Sequence, residues 1–357
     1  MSFLAAIETL PAPFKHSQAE VTAEVLAWLA RINADVEPRA VERLFSRTGV
    51  STRSSLRPLQ EVFSEETFAR RNAVYREAMI RIGIDLAGSA LTRARLAGID
   101  LLVSSSCTGF MIPAVDAHIA NALRLGPRLA RLPITEAGCA GGAVALARAT
   151  DYLTAHPRAA ALVIALEFSS LTLQFQDPSP TNLVAAAIFA DGAAAAVLLG
   201  AEHPGAARAS TELVAAASMF MPDSLGSMGY DVVESGLKLV LDKRLPDTLR
   251  GRLGPMVLEF LIENGVAFDQ VVAFAVHPGG RKVLDVAAED LGLSEAHLES
   301  SRSVLSEHGN MSSATILFVL HHALARLRRG EFALGIGFGP GFAIELSLWR
   351  GLGENAA

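Results

Sequence analysis

The sequence predicts an α/β protein built from two similar halves, in which helices cover buried strands. Short apolar runs typical of strands buried on both faces are interleaved with helical segments of ten or more residues. Each half has a glycine-led helix start at a similar distance from its first strand, from residue 98 to 138 in one half and from 268 to 309 in the other. The 357 residues are enough for one large domain or two fused halves.

Helical periodicity dominates the first ninety residues, where Val21, Val25 and Leu29 are spaced four apart. The first strand that the pattern predicts is residues 98–103 (GIDLLV), which a Gly opens and a Ser/Thr/Gly loop closes. A comparable run at 268–276 (FDQVVAFAV) begins the second half. Further buried strands are predicted at 161–167, 193–199, 333–338 and 342–349.

The two glycine-led runs indicate a weak internal duplication. Residues 138–142 (GCAGG) lead into a predicted helix at 143–156, and residues 309–313 (GNMSS) lead into one at 314–329. Reactive groups from both halves are therefore expected to meet near one pseudo-twofold axis. The His-Pro-Gly segment at 203–205 divides the chain into halves 1–204 and 205–357, and is too short for a flexible linker.

Composition limits the classes of function. The chain is 51% hydrophobic and 19% charged, as in a well-buried globular enzyme, and its net charge of -6 offers no basic footprint for nucleic acid. Two cysteines are too few for a disulfide framework and fit a reducing cytoplasm. No basic leader or long apolar run is present, since Asp191 interrupts the stretch 183–199, so we expect a cytoplasmic protein without membrane insertion.

Cys139 is a candidate nucleophile. It starts a helix among glycines, where unpaired backbone N–H groups and the helix dipole favour a thiolate. The glycines would also allow a thioester to approach closely. An isolated Cys in such a place can equally be a small buried residue that packs beneath a helix crossing.

His277 and Asn310 are candidate partners for this thiol. His277 ends an apolar strand and enters Pro-Gly-Gly, which places its imidazole where the strand opens onto a crevice. Asn310 precedes a helix and could supply an amide donor. Taken singly, the His could be structural at a turn and the Asn could be an N-cap.

Together, Cys139, His277 and Asn310 form a nucleophile, a base and an oxyanion donor. Papain-like proteases use the same three residue types in the same order, but their Cys lies near the mature N-terminus in a Cys-Gly-Ser-Cys-Trp-like run. The run at 138–142 is not of that kind. A condensing enzyme that carries an acyl group on Cys139 is therefore the favoured interpretation.

The runs at 138–142 (GCAGG), 277–280 (HPGG), 309–314 (GNMSSA) and 337–341 (GFGPG) together resemble type III polyketide synthases, the chalcone synthase-like branch of the thiolase superfamily. The resemblance extends from residue 48 to 346 and implies a thiolase-like αβαβα layered fold of two duplicated halves. It implies that Cys139 carries the starter and the growing chain. It also implies that His277 stabilises the thiolate, and that His277 and Asn310 bind the thioester oxygen and the enolate formed from malonyl-CoA.

The resemblance also implies roles for residues around the cavity. Phe189 matches an aromatic gatekeeper, and Leu239 stands where a second gatekeeping Phe is expected. Cys107 matches a cavity position that is Cys in some bacterial enzymes that make tetrahydroxynaphthalene. Ser312 is a further expected cavity residue, and Gly339 and Pro340 belong to a loop expected to wall the cavity near the nucleophile.

Two more implications concern partners. Ile112, beside Pro113, matches a loop that such dimers insert into the partner's cavity, so a homodimer is implied. Arg47, Arg53 and Arg57 form a basic segment that could meet the phosphates of coenzyme A, although they could equally be solvated surface charges. No metal or redox cofactor is implied.

We therefore expect iterative, decarboxylative condensation of malonyl-CoA onto an acyl-CoA starter, followed by cyclisation. Leu239 favours a medium or long fatty acyl starter and an alkylpyrone or alkylresorcinol product. The stretch 219–221 (MFM) favours the same starter, because it lacks a Tyr that a malonyl-primed naphthalene-forming enzyme is expected to carry nearby. Alternatives are a malonyl-primed tetrahydroxynaphthalene synthase, an initiating 3-ketoacyl-ACP synthase, a Cys-dependent hydrolase and a non-catalytic acyl-CoA-binding dimer.

Overall fold

A computed structural model describes residues 1–353, in which a nine-stranded mixed sheet and two small hairpin sheets are combined with helices. The strands are β1 (Ser2–Pro11), β2 (Phe14–Ser17), β3 (Thr52–Ser55), β4 (Leu101–Ser105), β5 (Ala130–Ile134), β6 (Ala160–Phe168), β7 (Asp191–Gly200), β8 (Thr211–Phe220), β9 (Met228–Val233), β10 (Gly236–Leu241), β11 (Val271–Val276), β12 (Phe332–Gly339) and β13 (Ala343–Gly351).

The helices vary from single turns to a 27-residue helix. They are α1 (Gln18–Arg31), α2 (Pro38–Ser46), α3 (Leu59–Val62), α4 (Phe68–Ala94), α5 (Val115–Ala122), α6 (Gly141–Ala155), α7 (Pro180–Ile188), α8 (Leu245–Leu249), α9 (Leu253–Glu263), α10 (Arg281–Leu291), α11 (Glu299–His308) and α12 (Thr315–Leu324).

The large sheet is arranged symmetrically about its centre. Outward from β1 the order is β7, β6, β4 and β5, and outward from β8 it is β13, β12 and β11. In both directions two antiparallel pairings are followed by a parallel one. β1 and β8 join the half-sheets only through the pairs that Ser2, Phe3 and Leu4 make. The repeated order confirms a fold of two duplicated halves.

The layers follow from which helices share a core with which strands. α6 and α12 lie between the half-sheets and contact strands of both. α4 packs with β4, β6 and β7 on one outer side, and α9 and α10 pack with β11 to β13 on the other. The resulting order of helices, sheet, helices, sheet and helices confirms the predicted layered α/β fold.

Local sequence explains the best-predicted elements. The runs LLVSS, AALVIALEF and DGAAAAVLLG form β4, β6 and β7, and every residue in them is buried. α1 begins at a capping box between Ser17 and Glu20, and buries Val21, Val25 and Leu29 as its periodicity predicts. These elements carry the signals that a single sequence shows most strongly.

Other expectations were wrong. The first ninety residues are not all helix and loop, because β1 forms there and lies at the centre of the large sheet. Its apolar residues are consecutive and partly Ala, which gives no alternation and favours helix by propensity. The predicted helix 314–329 contains α12, which ends at Leu324, and the predicted strand 268–276 begins with the 3₁₀ turn Phe268–Gln270.

Residues 203–205 lie in the connection between β7 and β8, so the division at 204 and 205 remains a prediction. Within residues 1–353, none of the helices combines the length and the apolar character required to span a bilayer.

Candidate active site

Cys139 lies in a 3₁₀ turn, Gly138–Ala140, directly before α6. Gly138 has φ +52°, in the left-handed region that favours glycine, so the chain turns sharply into the nucleophile. The thiol is half-buried at the first turn of a largely buried helix. The predicted helix start is therefore present, with a tight turn inserted before it.

Glycines allow the two halves to touch beside Cys139. A Cβ atom on Gly142 would lie 2.2 Å from the Ser313 carbonyl oxygen, and one on Gly141 would lie 3.2 Å from Ser313 Cβ. Both distances are shorter than ordinary van der Waals contact. The start of α6 therefore packs directly on the segment that follows Asn310.

His277 directly follows β11, where its backbone N–H donates to the Ile336 carbonyl at 2.8 Å. The side chain is 1% exposed, and neither ring nitrogen has a hydrogen-bond partner among residues 1–353. A buried imidazole without a partner differs from a satisfied structural His at a turn. The ring also lines the cavity that contains Cys139, so no competing hydrogen bond from the described chain holds it away from a substrate there.

Asn310 precedes the 3₁₀ turn Ser312–Ala314, and it does not cap α12. Its Oδ1 accepts from the Ser312 backbone N–H at 2.8 Å, which orients the amide. Its backbone pairs with residues 188–190, since Asn310 N–H donates to the Ile188 carbonyl and Ala190 N–H donates to the Asn310 carbonyl, both at 2.8 Å.

One cavity of about 350 Å³ joins the three candidate catalytic residues. Cys139, His277 and Asn310 all line it, although they come from different halves. Phe189 and Leu239 line the same cavity, as the resemblance implies for gate residues. Their function as gates remains a prediction.

Burial controls the charge of this cavity. Desolvation raises the pKa of the Cys139 thiol to about 11, while the Ser312 and Asn310 side chains oppose the rise through hydrogen bonds. Desolvation lowers the pKa of His277 to about 4. Without a substrate, the structure therefore favours a neutral thiol and a neutral imidazole.

Cys107 and Ser312 lie next to each other beside the nucleophile. Cys107 Sγ is 3.2 Å from Ser312 Oγ, and burial raises the pKa of the Cys107 thiol well above its usual value. Sequence reasoning missed Glu167, which accepts from Ser313 Oγ at 2.5 Å and from Thr108 Oγ1 at 2.9 Å. Its position at the end of a predicted buried strand was a signal, because a carboxylate is seldom fully buried without a role.

Tyr230 is a second residue that sequence reasoning missed. The stretch 219–221 has no Tyr, but β9 brings Tyr230 to the nucleophile's surroundings. Desolvation raises the pKa of Tyr230 well above its usual value, and the nearby Cys107 and Cys139 raise it further, while a hydrogen bond with Thr172 opposes the rise. The absence of a Tyr at 219–221 therefore does not leave the surroundings of the thiol without a tyrosine.

The loop residues are placed as follows. Pro340 packs against the turn of the nucleophile, since a Cβ on Gly138 would lie 2.6 Å from its ring. Gly339 packs equally closely, since a Cβ added to it would lie 2.5 Å from Ala140 Cβ. Ile112 lies elsewhere, outside the cavity lining, and is 95% exposed.

The basic segment is not one surface. Arg47 is exposed and lines the mouth of the cavity, together with Lys243, Arg281 and Lys282, which sequence reasoning did not identify. Arg57 instead forms an ion pair with Glu66 at 2.8 Å.

The expectation that Arg53 binds coenzyme A phosphates is wrong for this structure. Its side chain is 4% exposed, and its guanidinium donates to Gln18 and to backbone carbonyls. The reason is that β3 directs Arg53 into the protein, where backbone carbonyls at the end of α7 accept from its guanidinium. Sequence spacing alone does not show this direction.

Two family profiles match the chain in succession. The profile for the N-terminal domain of chalcone and stilbene synthases matches residues 50–203, and the profile for their C-terminal domain matches residues 212–353. Together they cover most of the chain, including Cys139, His277 and Asn310.

Individual relatives give the same result. The chain is 36% identical to a 1,3,6,8-tetrahydroxynaphthalene synthase of Streptomyces peucetius subsp. caesius over 97% of this chain and 92% of the relative. It is 33% identical to a phloroglucinol synthase of Pseudomonas fluorescens, over 90% of this chain and 92% of the relative. The crystal structure of 1,3,6,8-tetrahydroxynaphthalene synthase from Streptomyces coelicolor A3(2) matches with a TM-score of 0.90 at 32% identity, over 98% and 99%.

Proposed function

Because this chain belongs to the chalcone and stilbene synthase family and is a type III polyketide synthase, we propose that it condenses malonyl-CoA units repeatedly on Cys139. The observation that carries the proposal is the shared cavity lined by Cys139, His277 and Asn310. Burial there leaves an unpaired imidazole and an oriented amide beside the thiol. This is the donor and acceptor set that acyl transfer requires.

Loading starts from the neutral pair. His277, whose lowered pKa keeps it neutral, takes the thiol proton as Cys139 Sγ attacks the thioester carbonyl of the starter. The bond between that carbonyl and the coenzyme A sulfur breaks, and the proton passes from His277 to the leaving thiolate. The starter is then held as a thioester on Cys139, and His277 is neutral again.

Chain extension uses the same two donors. The C–C bond to the malonyl carboxylate breaks, carbon dioxide leaves, and the electron pair forms an enolate whose oxygen accepts from His277 and from Asn310 Nδ2. The enolate carbon attacks the Cys139 thioester, and the new C–C bond releases the Cys139 thiolate, which takes up a proton from solvent and so restores the neutral pair. Coenzyme A now carries a chain two carbons longer, which returns to Cys139 for the next cycle. The reaction needs no metal or redox cofactor, because the loss of carbon dioxide drives it.

The charges at the cavity mouth suit coenzyme A. Arg47, Lys243, Arg281 and Lys282 come from three separate segments and surround the opening that leads to Cys139. Aliphatic residues such as Val184, Leu241 and Leu249 line the passage between them and the thiol. A phosphate group at the mouth and a pantetheine arm in the passage would match this division of charge.

For the starter, we propose malonyl-CoA itself. Tyr230, Cys107, Ser312 and Glu167 add polar groups near the nucleophile, behind a cavity lining that is itself mostly aliphatic, and polar groups there suit a short chain rich in carbonyl groups. Two relatives are a tetrahydroxynaphthalene synthase and a phloroglucinol synthase, and both products are polyhydroxylated aromatic rings. A hydroxylated aromatic product such as tetrahydroxynaphthalene fits these observations.

A medium or long fatty acyl starter is the second candidate. Leu239 and Met228 line the cavity close to Phe189 and widen its aliphatic surface. Such a surface would hold an alkyl chain, and the products would then be alkylpyrones or alkylresorcinols. An acyl-carrier protein that delivers the starter is a further alternative to free coenzyme A, because an acidic carrier would also match the basic residues at the cavity mouth.

Product analysis separates these candidates. The purified protein is given malonyl-CoA alone and malonyl-CoA with starters from acetyl-CoA to palmitoyl-CoA, and products are identified by mass spectrometry. We expect release of carbon dioxide and one aromatic product that does not change with the starter. Products whose mass follows the starter would establish the fatty acyl candidate. Absence of carbon dioxide release would contradict the proposed function and leave an acyl-CoA-binding dimer.

Replacement of the nucleophile tests its role. We expect Cys139→Ala to abolish product formation and to leave the fold intact, because a small residue replaces another small residue in a glycine-rich turn. The control is Cys107→Ala, which removes the other thiol and should retain loading of the starter as seen by intact mass. Full activity in Cys139→Ala would exclude Cys139 as the nucleophile.

A further inference from the structure

We propose that Arg53, together with Gln18, is a positioning residue that clamps the C-terminal end of α7 and so keeps the gate residue Phe189 and the backbone of Asn310 in place. The inference rests on the proposed function, since it assigns a role in the reaction of that site. It replaces the expectation that Arg53 contacts coenzyme A.

The guanidinium of Arg53 contacts three backbone carbonyls at the end of α7 and the side chain of Gln18 in α1. Arg53 Nη1 donates to the Ala186 carbonyl at 2.7 Å and to the Phe189 carbonyl at 3.2 Å. Arg53 Nη2 donates to the Ala187 carbonyl at 2.5 Å and to Gln18 Oε1. The guanidinium therefore holds the backbone on both sides of Ile188.

Gln18 completes the clamp from α1. Its Nε2 donates to the Ala187 carbonyl at 3.0 Å and to Thr48 Oγ1 at 3.0 Å. Its Oε1 accepts from Arg53. The side chain therefore binds both the guanidinium and a carbonyl that the guanidinium also binds.

The last carbonyls of a helix have no partner within the helix. In α7 each of the last four carbonyls has a donor. The Ala185 carbonyl accepts from Phe189 N–H, and the Ile188 carbonyl accepts from Asn310 N–H. Arg53 donates to the Ala186 carbonyl, and Arg53 and Gln18 both donate to the Ala187 carbonyl. A buried cation at this place also faces the negative end of the helix dipole. Burial lowers the pKa of Arg53 to about 9, so the guanidinium remains charged at neutral pH.

The clamped segment is bonded directly to Asn310. Phe189 and Asn310 form a parallel bridge, in which the Ile188 carbonyl and the Ala190 N–H bond to the backbone of Asn310. The packing leaves no room for a side chain at Gly309, because a Cβ there would lie 2.9 Å from the Ile188 carbonyl oxygen and 3.6 Å from Arg53 Cβ. A shift at the end of α7 would therefore move both Phe189 and Asn310.

The test compares partial reactions of Arg53→Lys with those of two other variants. Lys keeps the charge but cannot reproduce the planar set of donors. Arg31→Lys is the matched control, since Arg31 also donates to a backbone carbonyl, that of Phe63 at 3.0 Å, but lies away from the cavity. Arg47→Met shows what loss of a charge at the cavity mouth does.

Decarboxylation is measured with malonyl-CoA and with malonyl-pantetheine, which lacks the nucleotide phosphates. We expect Arg53→Lys to lower kcat by about 10- to 100-fold with both substrates and to change KM little, as for a misplaced catalytic group. Arg31→Lys should match the wild type, and Arg47→Met should raise KM for malonyl-CoA alone. A higher KM confined to malonyl-CoA in Arg53→Lys would overturn the proposal in favour of a phosphate ligand.

A second readout does not depend on the reaction. The rate at which iodoacetamide alkylates Cys139, followed by peptide mass spectrometry, should rise several-fold in Arg53→Lys, because a loosened Phe189 uncovers the thiol. An unchanged alkylation rate with a lower melting temperature would show a purely structural role and overturn the clamp. If the wild type released no carbon dioxide, the proposed function would fail, and the alkylation rate alone would decide the clamp.

Gln18→Met keeps the clamp testable if Arg53→Lys does not fold. It removes the second donor to the Ala187 carbonyl and the side-chain acceptor of Arg53, and leaves the bonds from the guanidinium to α7. We expect the same changes in kcat and in alkylation rate, smaller in size. Wild-type values for both measurements in a folded Gln18→Met would contradict the role of Gln18.

Discussion

Burial sets the protonation of the two groups that would start the reaction. Among residues 1–353, His277 has no charged partner, and burial lowers its pKa to about 4, while the pKa of the Cys139 thiol is raised to about 11. A neutral imidazole can accept the thiol proton, whereas an imidazolium cannot. The lowered pKa of His277 therefore extends the range of pH in which loading can begin.

This gives a pH prediction for starter loading. His277 is protonated only as the pH falls toward about 4, and not near 6.5, the usual value for His. We therefore expect the rate at which an acyl-CoA acylates Cys139 to stay nearly constant from pH 8 to pH 5.5. Even at pH 5.5, about 1.5 units above the pKa of His277, only a few per cent of the imidazole is protonated. Quenched-flow intact mass spectrometry measures this rate. A decline centred near pH 6.5 would contradict the effect of burial.

For single residues, the sequence indicates which side chains are functional better than it indicates where those side chains point. Cys139, His277 and Asn310 stand out because glycine-led turns and a strand end locate them without knowledge of the packing. Arg53 and Arg47 look alike in the sequence, yet one points into the protein and the other lines the cavity mouth. The difference arises from pairing between β2 and β3 and from the position of α7, which are long-range contacts.

Among the secondary-structure elements, the start of α6 shows how the halves are joined. Gly142 would normally weaken a helix, since Ala is preferred in a helix interior by about 0.5–1 kcal/mol. Here a Cβ would lie 2.2 Å from the Ser313 carbonyl and 2.9 Å from Ile316 Cγ2. Close packing between α6 and the segment after Asn310 therefore outweighs helix propensity.

We expect Gly142→Ala to destabilise the protein by about 1–3 kcal/mol, the usual cost of overpacking. The matched control is Gly88→Ala in α4, where the nearest atom to a new Cβ would be Leu123 Cδ2 at 3.7 Å. That change should stabilise the protein by about 0.5–1 kcal/mol through helix propensity. Urea unfolding measures both. Equal changes in the free energy of unfolding for the two substitutions would show that α6 does not pack closely against the segment after Asn310.

Elements differ in how well the sequence reveals them. β4, β6 and β7 are continuous apolar runs and are predicted, whereas β1 was missed because its Ala-rich run lacks alternation. The hairpin of β9 and β10 was also missed. It carries Tyr230 and Leu239, and it reaches the site through contacts such as the bond from Arg71 to the Ser235 carbonyl, which local pattern does not encode.

At the scale of the whole molecule, the duplication explains why one cavity holds residues from both halves. The half-sheets repeat the same strand order outward from β1 and β8, with α6 and α12 between them. Cys139 precedes α6 and Asn310 precedes α12, so equivalent helix starts face each other. The sequence predicted this pairing from the spacing of two glycine-led runs, although it could not give the cavity's volume or walls.

The outer edge of the first half-sheet bears on assembly. β5 ends the large sheet, and the ladder to β4 is its single pairing within the described chain. Leu132 in β5 is 38% exposed, and Phe110 and Ile112, in the loop that follows the neighbouring strand β4, are 47% and 95% exposed. An open strand edge beside exposed apolar side chains is a surface that proteins usually cover. We propose that a second copy of the chain covers it.

A homodimer would have about twice the 37.7 kDa mass of one chain, a mass that light scattering after size-exclusion chromatography resolves. We expect Ile112→Asp to shift this dimer toward monomer, because burying an unpaired carboxylate in an interface is costly. The matched control is Ile262→Asp on α9, which is also strongly exposed, at 75%, but lies on the other half. It should leave the mass unchanged. A monomeric wild type, or equal effects of both substitutions, would contradict an interface at Ile112.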